Sequence, residues 1–278
     1  MYTPTPGARK EERQPLPRSL ESEIAMPSLN RRLSALDMSQ KRRRAVGDPF
    51  TVLCFGDSNT HGQSSEALVR HPLADRWTTH LQQLLGSDYH VIPEGLNGRT
   101  TVIDDPTDCD FAGVGGGNLN GRRYLMPCLH SHKPIAAVVL ALGCNDMKAR
   151  FNMSAADIRR HLKLLIADVC RCEAGEDGAA PHIVVVSPPL CQETDTALDW
   201  GFEGAAAKSR ATIAGFEAEC AEKDIPFVDL SAVAQVGTDG IHFPAAAAAP
   251  IAAAVAAALR PLFPPPIGRN GIRPIGLV

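Results

Sequence analysis

Three times along this chain an apolar, β-branched run stops near a glycine and gives way at once to small polar residues. Thr51-Val52-Leu53-Cys54-Phe55 leads into Gly56-Asp57-Ser58-Asn59. Tyr89-His90-Val91-Ile92 leads into Glu94-Gly95-Leu96-Asn97-Gly98, and Ile135 to Leu142 leads into Gly143-Cys144-Asn145-Asp146. Runs of this kind read as buried strands, and the glycines as the turns that end them. Ile183 to Val186, stopped by Ser187-Pro188-Pro189, and the short Phe227-Val228 supply two more strands. Helical patterns lie between them. Arg76 to Gly86 carries Trp77, Leu81, Leu84 and Leu85 on one face, and Ser154 to Cys170 carries Ile158, Leu162, Leu165, Ile166 and Val169. Further helices are predicted from Asn120 or Gly121 to His130, from Ala205 to Lys223 and from Ala245 to Leu259. Alternating strands and helices require a parallel sheet covered on both faces, joined by right-handed crossovers. The fold class is α/β, a single doubly wound domain on a five-stranded parallel sheet. The carboxyl ends of such strands share one edge, where open α/β sheets bind ligands.

The flanks differ from this domain. Residues 1–49 hold ten Lys/Arg against six Asp/Glu, a net of +4, so the remainder of a chain of net charge −3 carries −7. They read as a disordered or loosely docked basic extension with little apolar periodicity. Ser28 is placed to cap a short helix there, and Lys41-Arg42-Arg43-Arg44 reads as a solvated charge run. Residues 50–263 form the domain, and the Pro/Gly-rich 264–278 a tail. No apolar run is read as long enough to span a membrane, and the N-terminus lacks the apolar core of a signal peptide, so the expected location is cytoplasmic. The modest net charge gives no case for nucleic acid or membrane partners. The eight cysteines, several in apolar or helical stretches, read as free thiols in a reducing compartment. Cys170-Arg171-Cys172 has no second cluster to complete a zinc site.

Four polar segments meet at the expected edge: Gly56-Asp57-Ser58, Gly95 to Gly98, Gly143 to Asp146, and Asp239-Gly240-Ile241-His242 before the last helix. Acyl transfer needs a hydroxyl, an imidazole base, a carboxylate that orients the base, and donors for an oxyanion. Asp239 and His242 are spaced so that the carboxylate reaches Nδ1–H and leaves Nε2 toward Ser58. Asn145 brings a side-chain NH₂, Gly98 an unobstructed N–H, and the Ser58 amide sits at a helix start, where donors lack partners. Each piece alone has a plainer reading: Ser58 as a cap, His242 as a helix-start residue, Asn145 and Gly98 as turn formers. Their joint order is what points to chemistry. The loop 190–204, with Trp200 and Phe202, reads as a wall over this edge.

These four blocks resemble those of the SGNH (GDSL-type) hydrolase superfamily. Arg76-Trp77, Glu94 to Thr101, Asp104-Asp105-Pro106 and Ser187-Pro188-Pro189 resemble its bacterial arylesterase/acyltransferase branch, over residues 51 to 260 or so. The resemblance implies a flavodoxin-like sheet with Ser58 as nucleophile, His242 as base and Asp239 as its orienter. It implies Ser58, Gly98 and Asn145 as the oxyanion donors, with Asp57 holding the turn. The substrate-binding candidates are His61, which stands where the branch often has tryptophan, and Trp200. Cys144 replaces a usual threonine, and Pro250 is an unusual residue inside the last helix.

The expected activity is that of a serine esterase hydrolysing small aryl or alkyl acyl esters through an acyl-enzyme, with some acyl transfer to alcohols. No metal or cofactor is required. The partner is a small-molecule ester, and self-association is a habit of the branch. Two alternatives use the same residues, a carbohydrate O-deacetylase and a thioesterase. A third, of another class, is a catalytically silent binding or scaffold protein on this fold.

Overall fold

A computed structural model describes residue 45 and residues 47–107 and 116–263. The helix read at Ser28, the basic run 41–44, Cys109 and the tail 264–278 lie outside the described residues. Five strands form one parallel sheet in the order β2-β1-β3-β4-β5. They are β1 (Phe50–Gly56), β2 (Tyr89–Gly95), β3 (Ala137–Ala141), β4 (His182–Val186) and β5 (Phe227–Val228). The helices are α1 (Ser58–His61), α2 (Trp77–Leu85), α3 (Gly121–His132), α4 (Ala155–Cys170), α5 (Asp195–Asp199), α6 (Ala205–Glu222) and α7 (Ala248–Leu259).

Alternation along the strands divides the core into two layers, because successive side chains point to opposite faces. Leu53, Phe55, Val138, Leu140, Ile183 and Val185 pack against α3, α4 and α6. Val52, Cys54, Val139, Val184 and Val186 pack against α2 and α7. The central strands are therefore apolar on both faces, and their sequences show no polar alternation. Fully burying one such aliphatic side chain contributes about 1.5–3 kcal/mol.

Helix ends follow the sequence signals. Ser154 and Asp157 form a reciprocal capping box at the start of α4, Ser154 Oγ accepting from Asp157 N at 3.2 Å. Two expectations are refined. The last helix begins with a 3₁₀ turn over Ala245–Ala247, so α7 starts at Ala248 and Pro250 falls in its first turn. The amide that proline lacks would have had no intrahelical acceptor there. The loop read over 190–204 contains α5, capped by Thr194 accepting from Ala197 N at 3.2 Å. Five residues are too few to leave a periodic signature.

One expectation is corrected. The combined helical stretch Ala245–Leu262, 18 residues long, is apolar and long enough by composition to cross a membrane. In the fold its Ile251, Ala252, Val255, Ala256 and Leu259 are buried in the layer shared with α2.

The sheet order reverses between β1 and β3, which run side by side from a common start. A crevice forms outside the carboxyl ends of two strands whose connections leave in opposite directions. Gly56 pairs in register with both Gly95 and Ala141, so the segments after β1, β2 and β3 emerge together.

Candidate active site

Ser58 is the first residue of α1, separated from β1 by Asp57 alone. Asp57 caps this short helix by accepting from Asn59 N at 3.0 Å, and Gly62 closes it. The turn is tight enough to require glycine at position 56. A Cβ there would lie 2.0 Å from Thr60 Oγ1 and 2.8 Å from the Ala141 carbonyl oxygen. Burial pushes the Asp57 carboxyl up to about 6, against the lowering effects of the Asn59 N–H and His242.

A stability prediction follows from this shift. An unfolded aspartate titrates near 3.8, so below about pH 3 folded and unfolded forms are both largely protonated. As the pH rises toward the folded value, the unfolded chain gives up its proton first, and the stabilisation present at low pH is lost through about pH 6. Asp57→Asn keeps the cap acceptor and has no such titration. Between about pH 3 and about pH 7 the native protein is expected to lose about 3 kcal/mol relative to Asp57→Asn. Urea unfolding of both proteins across that range is the measurement; parallel pH profiles would contradict the expectation.

Asp239 and His242 arrive on the turn before α7. The His242 Nε2 lies 2.7 Å from Ser58 Oγ, and its Nδ1 lies 2.7 Å from Asp239 Oδ2. The other carboxylate oxygen, Oδ1, accepts from the backbone N–H of Ile241 and of His242, each at 2.8 Å. The carboxylate is thus fixed by the chain it serves. Asn59 holds the two segments together: its Nδ2 donates to Ile241 O at 3.3 Å, and its Oδ1 accepts from Phe243 N at 3.2 Å. The residue after Ser58 thereby grips the neighbours of His242 on both sides. All three members of the Ser58–His242–Asp239 chain are buried.

The Gly98 and Asn145 segments are braced by two buried side chains. Arg99 donates to Gly56 O at 2.9 Å and to Glu94 O, with its guanidinium carbon 4.3 Å from the Phe55 ring centroid. Asp146 accepts from Thr101 N, at 3.0 Å to Oδ2, and from the Thr101 hydroxyl. Gly98 takes a left-handed φ of 78°, which a side chain would disfavour. The Asn145 Nδ2 donates to Arg99 O at 3.1 Å, which orients its amide across the gap between the β2 and β3 segments.

A cavity of about 540 Å³ opens at this edge, within the range of small-molecule sites. Ser58, Gly98, Asn145 and His242 line it, as does Trp200, whose ring meets His242 edge-on with centroids 5.7 Å apart. The structure therefore brings together Ser58, Gly98, Asn145, Asp239, His242 and Trp200. His61 is not among the lining residues. Burial, with Arg70 adding to it and the Gly95 backbone opposing, holds its pKa below the ordinary imidazole value. Sequence reasoning passed over Gln63, Asn97, Lys148, Arg150 and Asp199, which give the cavity a polar wall. Their one signal was position: Lys148 and Arg150 lie just beyond the Gly143–Asp146 block. Arg150 is anchored by Asp105, Nε to Oδ1 at 3.1 Å.

A buried hydroxyl, imidazole and carboxylate thus stand in series, facing a cavity beside an amide donor, which is the arrangement that nucleophilic acyl transfer requires. The model of the GDSL-like lipase/acylhydrolase family matches residues 54–249. The chain belongs to that family and is a carboxylic ester hydrolase. Two solved structures are each similar at 36% identity and a TM-score of 0.70. One is a carbohydrate acetylesterase family member from Sinorhizobium meliloti, over 77% of this chain and 98% of that one. The other is the native M. smegmatis aryl esterase, over 77% of this chain and 100% of that one. A putative arylesterase from Agrobacterium tumefaciens is similar at 32% identity and a TM-score of 0.68, over 77% and 100%. No curated protein matches the sequence.

Proposed function

We propose that Ser58, His242 and Asp239 form the catalytic triad through which this esterase cleaves esters of short acyl groups. The observation that carries the reading is the unbroken series of 2.7 Å contacts from Ser58 Oγ through the imidazole to Asp239. His242 Nε2 takes the hydroxyl proton as Ser58 Oγ attacks the ester carbonyl. Asp239 keeps the imidazole in the tautomer that presents a free Nε2 and stabilises the imidazolium. The tetrahedral oxyanion is held by the N–H groups of Ser58 and Gly98 and by the Asn145 NH₂. His242 then returns the proton to the departing alcohol oxygen, leaving an acyl-Ser58 ester. Water, activated by the same imidazole, releases the acid; an alcohol in its place receives the acyl group.

A specific observation favours a hydroxylated alcohol as the leaving group. Gln63, Asn97, Lys148, Arg150 and Asp199 line the cavity beside Ser58 as a polar wall, which suits a hydroxylated alcohol better than a plain aryl group. One of the similar structures is named a carbohydrate acetylesterase. The deciding test compares p-nitrophenyl acetate, an acetylated sugar and an acyl thioester, with a fluorophosphonate as a probe of the nucleophile. Absence of both ester turnover and fluorophosphonate labelling would overturn the reading. Asn145→Ala is expected to lower kcat by about 10²–10³ with KM little changed, since the amide acts on charge that exists only in the transition state. An equal loss expressed in KM would assign Asn145 to ground-state binding.

A further inference from the structure

The geometry points to a second site, a surface site for a thiophilic divalent cation, represented by Zn²⁺, formed by Glu94, Cys128 and His132. Cys128 and His132 are four residues apart on α3, so they share one face of that helix. Glu94 reaches the same point from the end of β2. One ligating atom from each of the three lies within 4.8 Å of the other two. The His132 Nε2 and Glu94 Oε1 are already 3.1 Å apart. Donors on a tetrahedral zinc sit about 2.0–2.3 Å from the metal, which puts them roughly 3.3–3.8 Å from one another. The cluster needs to close by only about 1 Å to meet that geometry.

Thiolate, imidazole and carboxylate together select zinc over magnesium or calcium, which take oxygen ligands. The Cys128 sulfur is buried, while the Glu94 and His132 side chains are 21% and 29% exposed. The cation would have protein on the thiolate side and solvent on the other, leaving its fourth position to water. Arg99 is a buried cation whose charge acts on Glu94 and Cys128; it donates to the Glu94 carbonyl oxygen, while the Glu94 carboxylate pairs with His132. Binding displaces the Cys128 thiol proton to solvent, and Glu94 and neutral His132 supply the remaining donors. None of the three lines the cavity at Ser58, so the site stands apart from ester cleavage. It would fasten α3 to the end of β2, from which the chain runs on to Gly98.

The test is equilibrium dialysis of the chelator-treated, full-length protein against Zn²⁺. About one zinc per chain is expected on the native protein and none on Cys128→Ser, with a rise in Tm on loading. His132→Gln, a change at a partly exposed position, is expected to weaken binding at least about tenfold. Co²⁺ in place of zinc is expected to give a thiolate-to-cobalt absorption band that Cys128→Ser lacks. Cys170→Ser, which removes the exposed thiol, is expected to keep the full stoichiometry. No retained zinc on the native protein would overturn the proposal. So would equal binding by native protein, Cys128→Ser and His132→Gln, or binding abolished by Cys170→Ser.

Discussion

Replacing Ser58 by alanine is expected to lower kcat for p-nitrophenyl acetate by about 10⁴- to 10⁶-fold and to abolish fluorophosphonate labelling. The reason is chemical, not structural. Ser58 Oγ makes its hydrogen bond to His242, and the cap of α1 is supplied by Asp57, so the helix keeps its start when the hydroxyl is gone. What remains is an oxyanion site and a cavity with no atom able to form the acyl-enzyme. Because nucleophile and base act as one unit, Ser58→Ala combined with His242→Ala is expected to be little worse than Ser58→Ala alone. Purified Ser58→Ala that kept its secondary structure and hydrolysed the ester at the native rate would remove Ser58 from the mechanism.

The second large effect is expected at Asp239. Its two oxygens have different work: Oδ2 accepts from the imidazole, and Oδ1 accepts from two backbone amides. Asparagine has one oxygen to offer. With that oxygen on the backbone amides, the NH₂ faces His242 Nδ1 and stabilises the tautomer whose proton sits on Nε2, where it cannot accept from Ser58. With the oxygen on His242, the NH₂ meets two N–H donors and the turn is disrupted. Asp239→Asn is therefore expected to lose about 10³- to 10⁴-fold in kcat with KM nearly constant. Steady-state kinetics on the same ester is the check, and a loss under tenfold would mean that His242 is oriented by something else.

Much of this arrangement was legible in the residues themselves. The strands were readable because each is an uninterrupted apolar run, the form that burial on both faces imposes. The edge was readable because glycines and small polar residues follow three of those runs in succession. His242 was harder, since nothing local separates it from a helix-start histidine; its spacing from Asp239 and its place in the order of blocks identified it. Asn59 was quoted as part of the first block, yet its two bonds across to Ile241 and Phe243 span 182 and 184 positions. Contacts of that reach leave no periodic trace. The polar wall was missed for a related reason: Lys148 and Arg150 belong to short 3₁₀ turns and their junction, and Asp199 to the five-residue α5, segments too short for a periodic pattern to give their side chains a direction. His61 shows the opposite limit. It was a substrate candidate because it stands where the branch often has tryptophan, but in the fold it does not line the cavity.

The proposed nucleophile and base come from opposite ends of the domain's sequence, Ser58 just past the first strand and His242 just before the last helix. During synthesis the serine emerges long before its partner, as an ordinary alcohol with no proton acceptor beside it. Under the proposed mechanism, reactivity would require the final segment to dock, and a chain not yet extended through His242 would lack its base.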